Sequence, residues 1–170
     1  METLIILALI ALDQLTKGLA ERLIGPGNSV TVIPGFFSLT CSYNTGAAWG
    51  LLSNKTWGII VLSLVSFLVM AFLIHRLRFA TGWKARTVLV MLIAGSAGNL
   101  IDRVRIGAVA DFLSFTFGSY HFPSFNLADS LITVGAFLLV VFTIQNLPFL
   151  NNVFGLPKDT NASRRRKKSR

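Results

Sequence analysis

The stretch from Ser130 to Leu150 reads SLITVGAFLLVVFTIQNLPFL and carries no charged side chain. A helix needs about 20 predominantly apolar residues to cross the hydrocarbon core of a bilayer. This stretch is long enough, and its freedom from charge continues to Pro157. Working outward, Thr56–Ile74 is a second uncharged run, ending in His75, Arg76 and Arg78. Thr87–Ile101 is a shorter third run containing Gly95, Ser96, Ala97 and Gly98, small residues that let membrane helices approach closely. A fourth begins at Leu4, is interrupted by Asp13 and Lys17, and stops at Gly25-Pro26-Gly27. Met1-Glu2-Thr3 lacks the basic residues of a signal peptide, so this first run is expected to stay as a helix.

The composition agrees. The chain has 170 residues, of which 53% are apolar and 14% charged, and the mean hydropathy is +0.65. Soluble domains carry about 25% charged residues, and a disordered chain needs low hydrophobicity. Both classes are excluded. Cys41 is the single cysteine, so no internal disulfide exists, and with His75 and His121 it makes a poor zinc set. The expectation is an all-α membrane protein of four transmembrane helices, at about 4–24, 56–75, 87–102 and 128–148. They form one membrane domain over 1–150, followed by a tail over 151–170.

The net charge is +9, and Lys158–Arg170 (KDTNASRRRKKSR) supplies +6 of it. A basic run of this kind suits nucleic acid or a solvated cytoplasmic tail. The apolar segment just before it favours the tail, in a position to touch anionic lipid headgroups. With four spans both termini are cytoplasmic, and the loop bearing Arg76, Arg78, Lys84 and Arg86 falls on the same side. The connections Gly25–Lys55 and Asp102–Phe125 then face outward. The first, rich in β-formers and turn residues, predicts a small outer-face β-rich loop, with Phe36, Phe37, Tyr43 and Trp49 suited to the headgroup region, while Trp49 and Trp57 read as interface anchors or as walls of a lipid groove.

Against this background the acids stand out. Glu2, Glu21 and Asp159 lie near chain ends or a span edge. Asp13, Asp102, Asp111 and Asp129 lie in or beside apolar sequence, where a carboxylate costs a few kcal/mol unless it meets a partner or water. Each has an ordinary explanation. Asp13 has Lys17 one turn on, Asp102 has Arg103 and Arg105 beside it, and Asp129 opens a helix where the dipole favours an acid. The topology nevertheless brings three of the four to one membrane face. Asn99-Leu-Ile-Asp102 and Asn126-Leu-Ala-Asp129 share one pattern, and an i, i+3 spacing puts amide and carboxyl on one helix face. Spans three and four are therefore expected to aim an Asn/Asp pair at each other.

No G-x-S-x-G occurs, Cys41 has at best His121 on its side, and His75 is on the other. Carboxylates could hold Mg²⁺ or Ca²⁺, but aspartate is the one catalytic group in surplus. Two carboxyl groups in a low-dielectric site share a proton. One then activates water while the other polarises a carbonyl. That chemistry needs no cofactor, and it suits a peptide bond near the end of another membrane segment. The spacing leaves open whether Asp102 or Asp111 partners Asp129.

The blocks Asp13-Gln-Leu-Thr-Lys17, Asn44-Thr-Gly46-Ala-Ala-Trp-Gly50, Gly98-Asn99-Leu-Ile-Asp102-Arg103, Val109-Ala-Asp111-Phe112 and Phe125-Asn126-Leu-Ala-Asp129-Ser130 together resemble the bacterial lipoprotein signal peptidases (signal peptidase II). The resemblance covers roughly residues 4–147. It implies a membrane aspartic endopeptidase of the cytoplasmic (inner) membrane, with its site near the outer face. Such an enzyme cuts prolipoproteins just before a diacylglyceryl-modified Cys and is inhibited by globomycin. It implies Asp111 and Asp129 as the catalytic dyad, and Asn44, Gly46, Asn99, Arg103 and Asn126 as substrate-site or supporting residues. Asp13 and Asp102 would be supporting acids. It also implies a monomer without metal, cofactor or nucleic-acid partner, working on a lipidated prolipoprotein among membrane lipids. Ala110 departs from the β-branched residue frequent before the dyad aspartate. Two other readings compete: a transporter, which would spread acids through the membrane depth, and a non-catalytic scaffold.

Overall fold

The computed structural model describes residues 1–46, 56–146 and 148–156. Trp49, Gly50 and the basic tail lie outside the described residues. The element order is α1 (Glu2–Leu23), β1 (Ser29–Ile33), β2 (Phe37–Asn44), α2 (Thr56–Leu77), α3 (Trp83–Ile106), β3 (Val109–Phe117), β4 (Tyr120–His121), α4 (Leu127–Gln145) and α5 (Phe149–Phe154). The first four helices, α1 to α4, are each long and apolar enough to cross a membrane.

α3 is the hub. Half of its most apolar stretch is buried inside the protein, against 17% for α1 and α4 and 6% for α2. Its small residues explain this. A Cβ on Gly95 would sit 2.5 Å from the Ala128 carbonyl oxygen and 2.7 Å from Ile132, and one on Gly98 would sit 2.5 Å from an Asp13 carboxylate oxygen. These contacts press α3 against α4 on one side and α1 on the other, as small residues do in membranes. The outer helices expose Leu4, Leu7, Leu64, Phe67, Phe72, Phe137 and Val140. Such a surface suits lipid and not water. α3 extends past its uncharged centre at both ends. Arg103 and Arg105 occupy the last turn, where cations are favoured by the helix dipole.

One end of the bundle gathers the start of α1, the α2–α3 connection and α5. Arg86 donates to Glu2 at 2.6 Å, and the Thr81 backbone donates to the Asn152 carbonyl at 2.9 Å. Phe149 and Val153 of α5 are buried in a core with Ala80, Ala85, Val88, Leu89 and Ile93. The exposed C-terminal stretch of α4 ends at Asn146, an extended residue just ahead of Pro148.

The opposite end carries the sheet, in the order β1-β2-β3-β4, all antiparallel. The expected β-structure of the first connection is present as β1 and β2. The second connection, read as a loop in the sequence, supplies β3 and β4 as well. Leu39 pairs with Leu113 and Ser42 with Asp111, so β2 holds one extra residue in between. This is a bulge that re-aims the side chains beyond it. Gly107 ends α3 in the left-handed conformation (φ 70°), the return that turns the chain straight into β3.

Candidate active site

Asp111 is the third residue of β3, not a loop residue as the sequence reading placed it. Two residues on, Leu113 exchanges backbone hydrogen bonds with Phe125 at 2.8 and 3.0 Å. That bridge draws the chain entering α4 alongside β3. It brings the start of α4, with Asn126 and Asp129, up to Asp111.

Asn126 is the joint. It is fully buried and is the N-cap of α4, in a capping box: its side chain accepts from Asp129 N at 2.9 Å, and Asp129 Oδ2 accepts from Asn126 N at 3.3 Å. The other end of the same amide, Nδ2, donates to Asp111 Oδ1 at 2.8 Å and also lies 3.2 Å from Asn99 Oδ1. One side chain thus holds both carboxyl-bearing residues. Asn99, from α3, donates to Asp129 Oδ1 at 2.7 Å. The expected meeting of the two Asn/Asp patterns therefore occurs, with Asn126 acting as a cap rather than a helix-face residue.

Asn44, at the end of β2, lies close enough to Asp111 to oppose the rise of its carboxyl. Its Oδ1 accepts from the buried Gly46 N at 2.9 Å, a local turn that fixes the amide. Asp111 is only 3% exposed. Burial first, then the negative charge of Asp129, push its carboxyl up to about 7, against the opposing pull of Asn126, Asn44 and Lys17. The half-buried Arg103 guanidinium feels the charges of Asp129, Asp111 and Asp102.

Asp13 and Asp102 sit behind this pair. Asp102 does not pair with Arg103 or Arg105, as its neighbours in sequence suggest. It pairs with Lys17, whose Nζ lies 2.9 Å from Asp102 Oδ2 and 2.8 Å from Asp13 Oδ2, all three side chains being fully buried. Successive residues on a helix point apart, so Arg103 and Asp102 leave α3 in different directions. Asp102 Oδ2 also accepts from Ala110 N at 3.2 Å, and Asp13 Oδ1 from Ala128 N at 2.9 Å. Gln14 bridges the two acids through Nε2, at 3.0 Å to Asp102 and 3.2 Å to Asp13. Lys17 and Gln14 were not among the site residues expected. The i, i+4 spacing revealed the Asp13–Lys17 pair, but nothing local to α1 points to Asp102. Among the described residues no three His, Cys, Asp or Glu side chains converge in a metal-holding arrangement.

A buried carboxyl group and a half-buried one, linked by asparagines at one end of a four-helix membrane bundle, suit acid–base work on water. A family model described as signal peptidase (SPase) II matches residues 5–145. The chain belongs to the signal peptidase II family. Curated relatives in that family include a lipoprotein signal peptidase of Bacillus pumilus, 42% identical over 81% of this chain and 88% of its own length. One from Lactiplantibacillus plantarum is 36% identical over 86% of this chain and 95% of its own. A bacterial membrane enzyme solved by the in meso method at 1.9 Å resolution superposes with a TM-score of 0.73, at 32% identity, covering 85% of this chain and 93% of that one. As a signal peptidase II family member, the protein is a multi-pass membrane peptidase of the aspartic class.

Proposed function

We propose that this peptidase removes signal peptides from diacylglyceryl-modified prolipoproteins, cutting just before the lipidated Cys, with Asp111 and Asp129 as its catalytic dyad. The observation that carries this reading is Asn126. One buried amide binds Asp111 through its side chain and Asp129 through both side chain and backbone, so the two carboxyl groups face one small region. The relatives named lipoprotein signal peptidase supply the substrate class.

The pair holds one proton between them, as coupled carboxyl groups do. The ionised carboxylate takes a proton from water as the water oxygen attacks the scissile carbonyl carbon. The protonated partner gives its proton to the carbonyl oxygen, which yields a neutral tetrahedral diol. Collapse of the diol breaks the C–N bond as one hydroxyl proton returns to the ionised carboxylate and the protonated carboxyl gives its proton to the leaving amine. No covalent enzyme intermediate forms.

Charge supports the placement of the site at the outer surface. Arg86 near the start of α3 and Asp102 near its end are about 24 Å apart along the axis. Arg76, Arg78, Lys84 and Arg86 therefore gather at the end away from Asp111 and Asp129. A basic end is the cytoplasmic end under the positive-inside rule, which sends the dyad outward, to the cytoplasmic membrane's far face. Burying lipid CH₂ groups gains about 0.8 kcal/mol each, but the bilayer offers nearly the same. Selection of the lipidated Cys therefore rests on the headgroup region.

The test is cleavage of a purified lipidated prolipoprotein. Asp111→Asn and Asp129→Asn should each abolish cleavage while the protein still inserts, and the unlipidated substrate should be cut far more slowly. Near-normal turnover by Asp111→Asn would exclude it from the dyad. Equal rates on the two substrates would refute lipid recognition.

A further inference from the structure

Resting on that dyad, we propose that Lys17 is a positioning residue, holding the backbones that carry Asp111 and Asp129 at one fixed separation. Its ammonium has three protons and three acceptors: Asp13 Oδ2 at 2.8 Å, Asp102 Oδ2 at 2.9 Å and Asn99 Oδ1 at 3.2 Å. Each acceptor passes the constraint forward. Asp102 binds the N–H of Ala110, the residue before Asp111. Asp13 binds the N–H of Ala128, the residue before Asp129. Asn99 donates to the Asp129 carboxylate itself. One cation on α1 is therefore tied through α3 to β3, and both directly and through α3 to α4. The two dyad residues hang from the same atom by symmetric two-step links.

Burial of Asp13 alone would need no more than its i, i+4 partner. Two buried carboxylates on one ammonium form a costly arrangement for stability. An apolar cluster of the same volume is commonly as stable or more so, and what this cluster adds is a set of directional bonds that reach both dyad backbones. Geometry is what a water-activating pair requires, because a misplacement of about 1 Å can cost on the order of 100-fold in rate. Lys17 is fully buried and does not itself reach substrate, so its effect is expected mainly on the chemical step.

The experiment compares wild type, Lys17→Gln and the double variant Asp13→Asn/Lys17→Gln, with Asp111→Asn as the inactive control. Each is purified, checked for folding by thermal unfolding, and assayed for kcat and KM per folded molecule on lipidated prolipoprotein. The double variant removes one charge of each sign, so a fold that Lys17→Gln alone disrupts is retained there. The expected result is a kcat about 10- to 100-fold lower with KM within about threefold. A purely structural lysine would reduce melting temperature and leave kcat unchanged. Wild-type kcat in either folded variant overturns the proposal, and so does failure of both to fold, which would assign the lysine to folding alone. Wild-type protein that leaves lipidated prolipoprotein uncut would refute the enzymatic reading itself. Active wild type beside unimpaired lysine variants would refute only the role of Lys17.

Discussion

Replacing Asp111 by Asn should make the protein more stable as pH rises, relative to wild type, while making it inert. Burial, and then the charge of Asp129, push the Asp111 carboxyl from 3.8 to about 7. The folded state therefore binds a proton that the unfolded chain has released between about pH 4 and 7. Stability falls with pH wherever the folded state binds more protons. The wild-type contribution is complete below pH 4 and is lost as pH climbs through 7. One pKa unit is 1.36 kcal/mol, so the full loss is about 4 kcal/mol. The amide of the variant has no such proton, and its oxygen still accepts from Asn126. Any offset it brings is independent of pH. Between pH 5 and pH 8.5 the stability advantage of Asp111→Asn should grow by about 3 kcal/mol. For a chain of this size that is roughly 6–12 °C in the difference of melting temperatures. Thermal unfolding of both proteins in the same detergent, at both pH values, measures it directly. A melting-temperature difference that stays constant from pH 5 to 8.5 would show that Asp111 carries no raised pKa, and would remove the basis for a shared proton.

The same proton sets the activity profile. Cleavage should decline above about pH 7 as Asp111 ionises, and rates on lipidated prolipoprotein that stay flat to pH 9 would contradict a one-proton dyad. Gly98→Ala should destabilise the fold by about 1–3 kcal/mol, because its Cβ would lie 2.5 Å from Asp13 Oδ2 and 3.1 Å from the Ala128 Cβ. Its melting temperature is the readout, and an unchanged value would mean that α1 and α4 are less tightly fitted to α3 than these distances require.

Where the sequence was legible, one strong physical signal acted along the chain. Long uncharged runs mark α1 to α4, because the bilayer sets helix length regardless of what the helix later touches. Where pairing is distant, legibility fell. Val109–Phe117 read as loop because its partners are β2, far upstream, and Phe125, across a turn, and neither leaves a mark within the strand. α5 is six residues long, too short for periodicity to announce, and it is fixed by packing on the α2–α3 connection. The site divides in the same way. Asn99 and Asp129 were found from a repeated local pattern. Their bonding through Asn126, and the diversion of Asp102 to Lys17, depend on contacts across 27 to 85 residues of chain, as the hydrogen bonds and ion pairs reveal.

The polar residues of the site come from both ends of the polypeptide, Asp13 and Lys17 from its first helix and Asn126 and Asp129 from its last long one. A chain made from the N-terminus inserts α1 with its charges already matched one turn apart. On the proposed dyad, it lacks half of its hydrolytic pair until α4 has joined the bundle. With that dyad, hydrolytic competence would arrive only with completed assembly, and a nascent or truncated chain lacking α4 would be harmless to the membrane proteins made beside it.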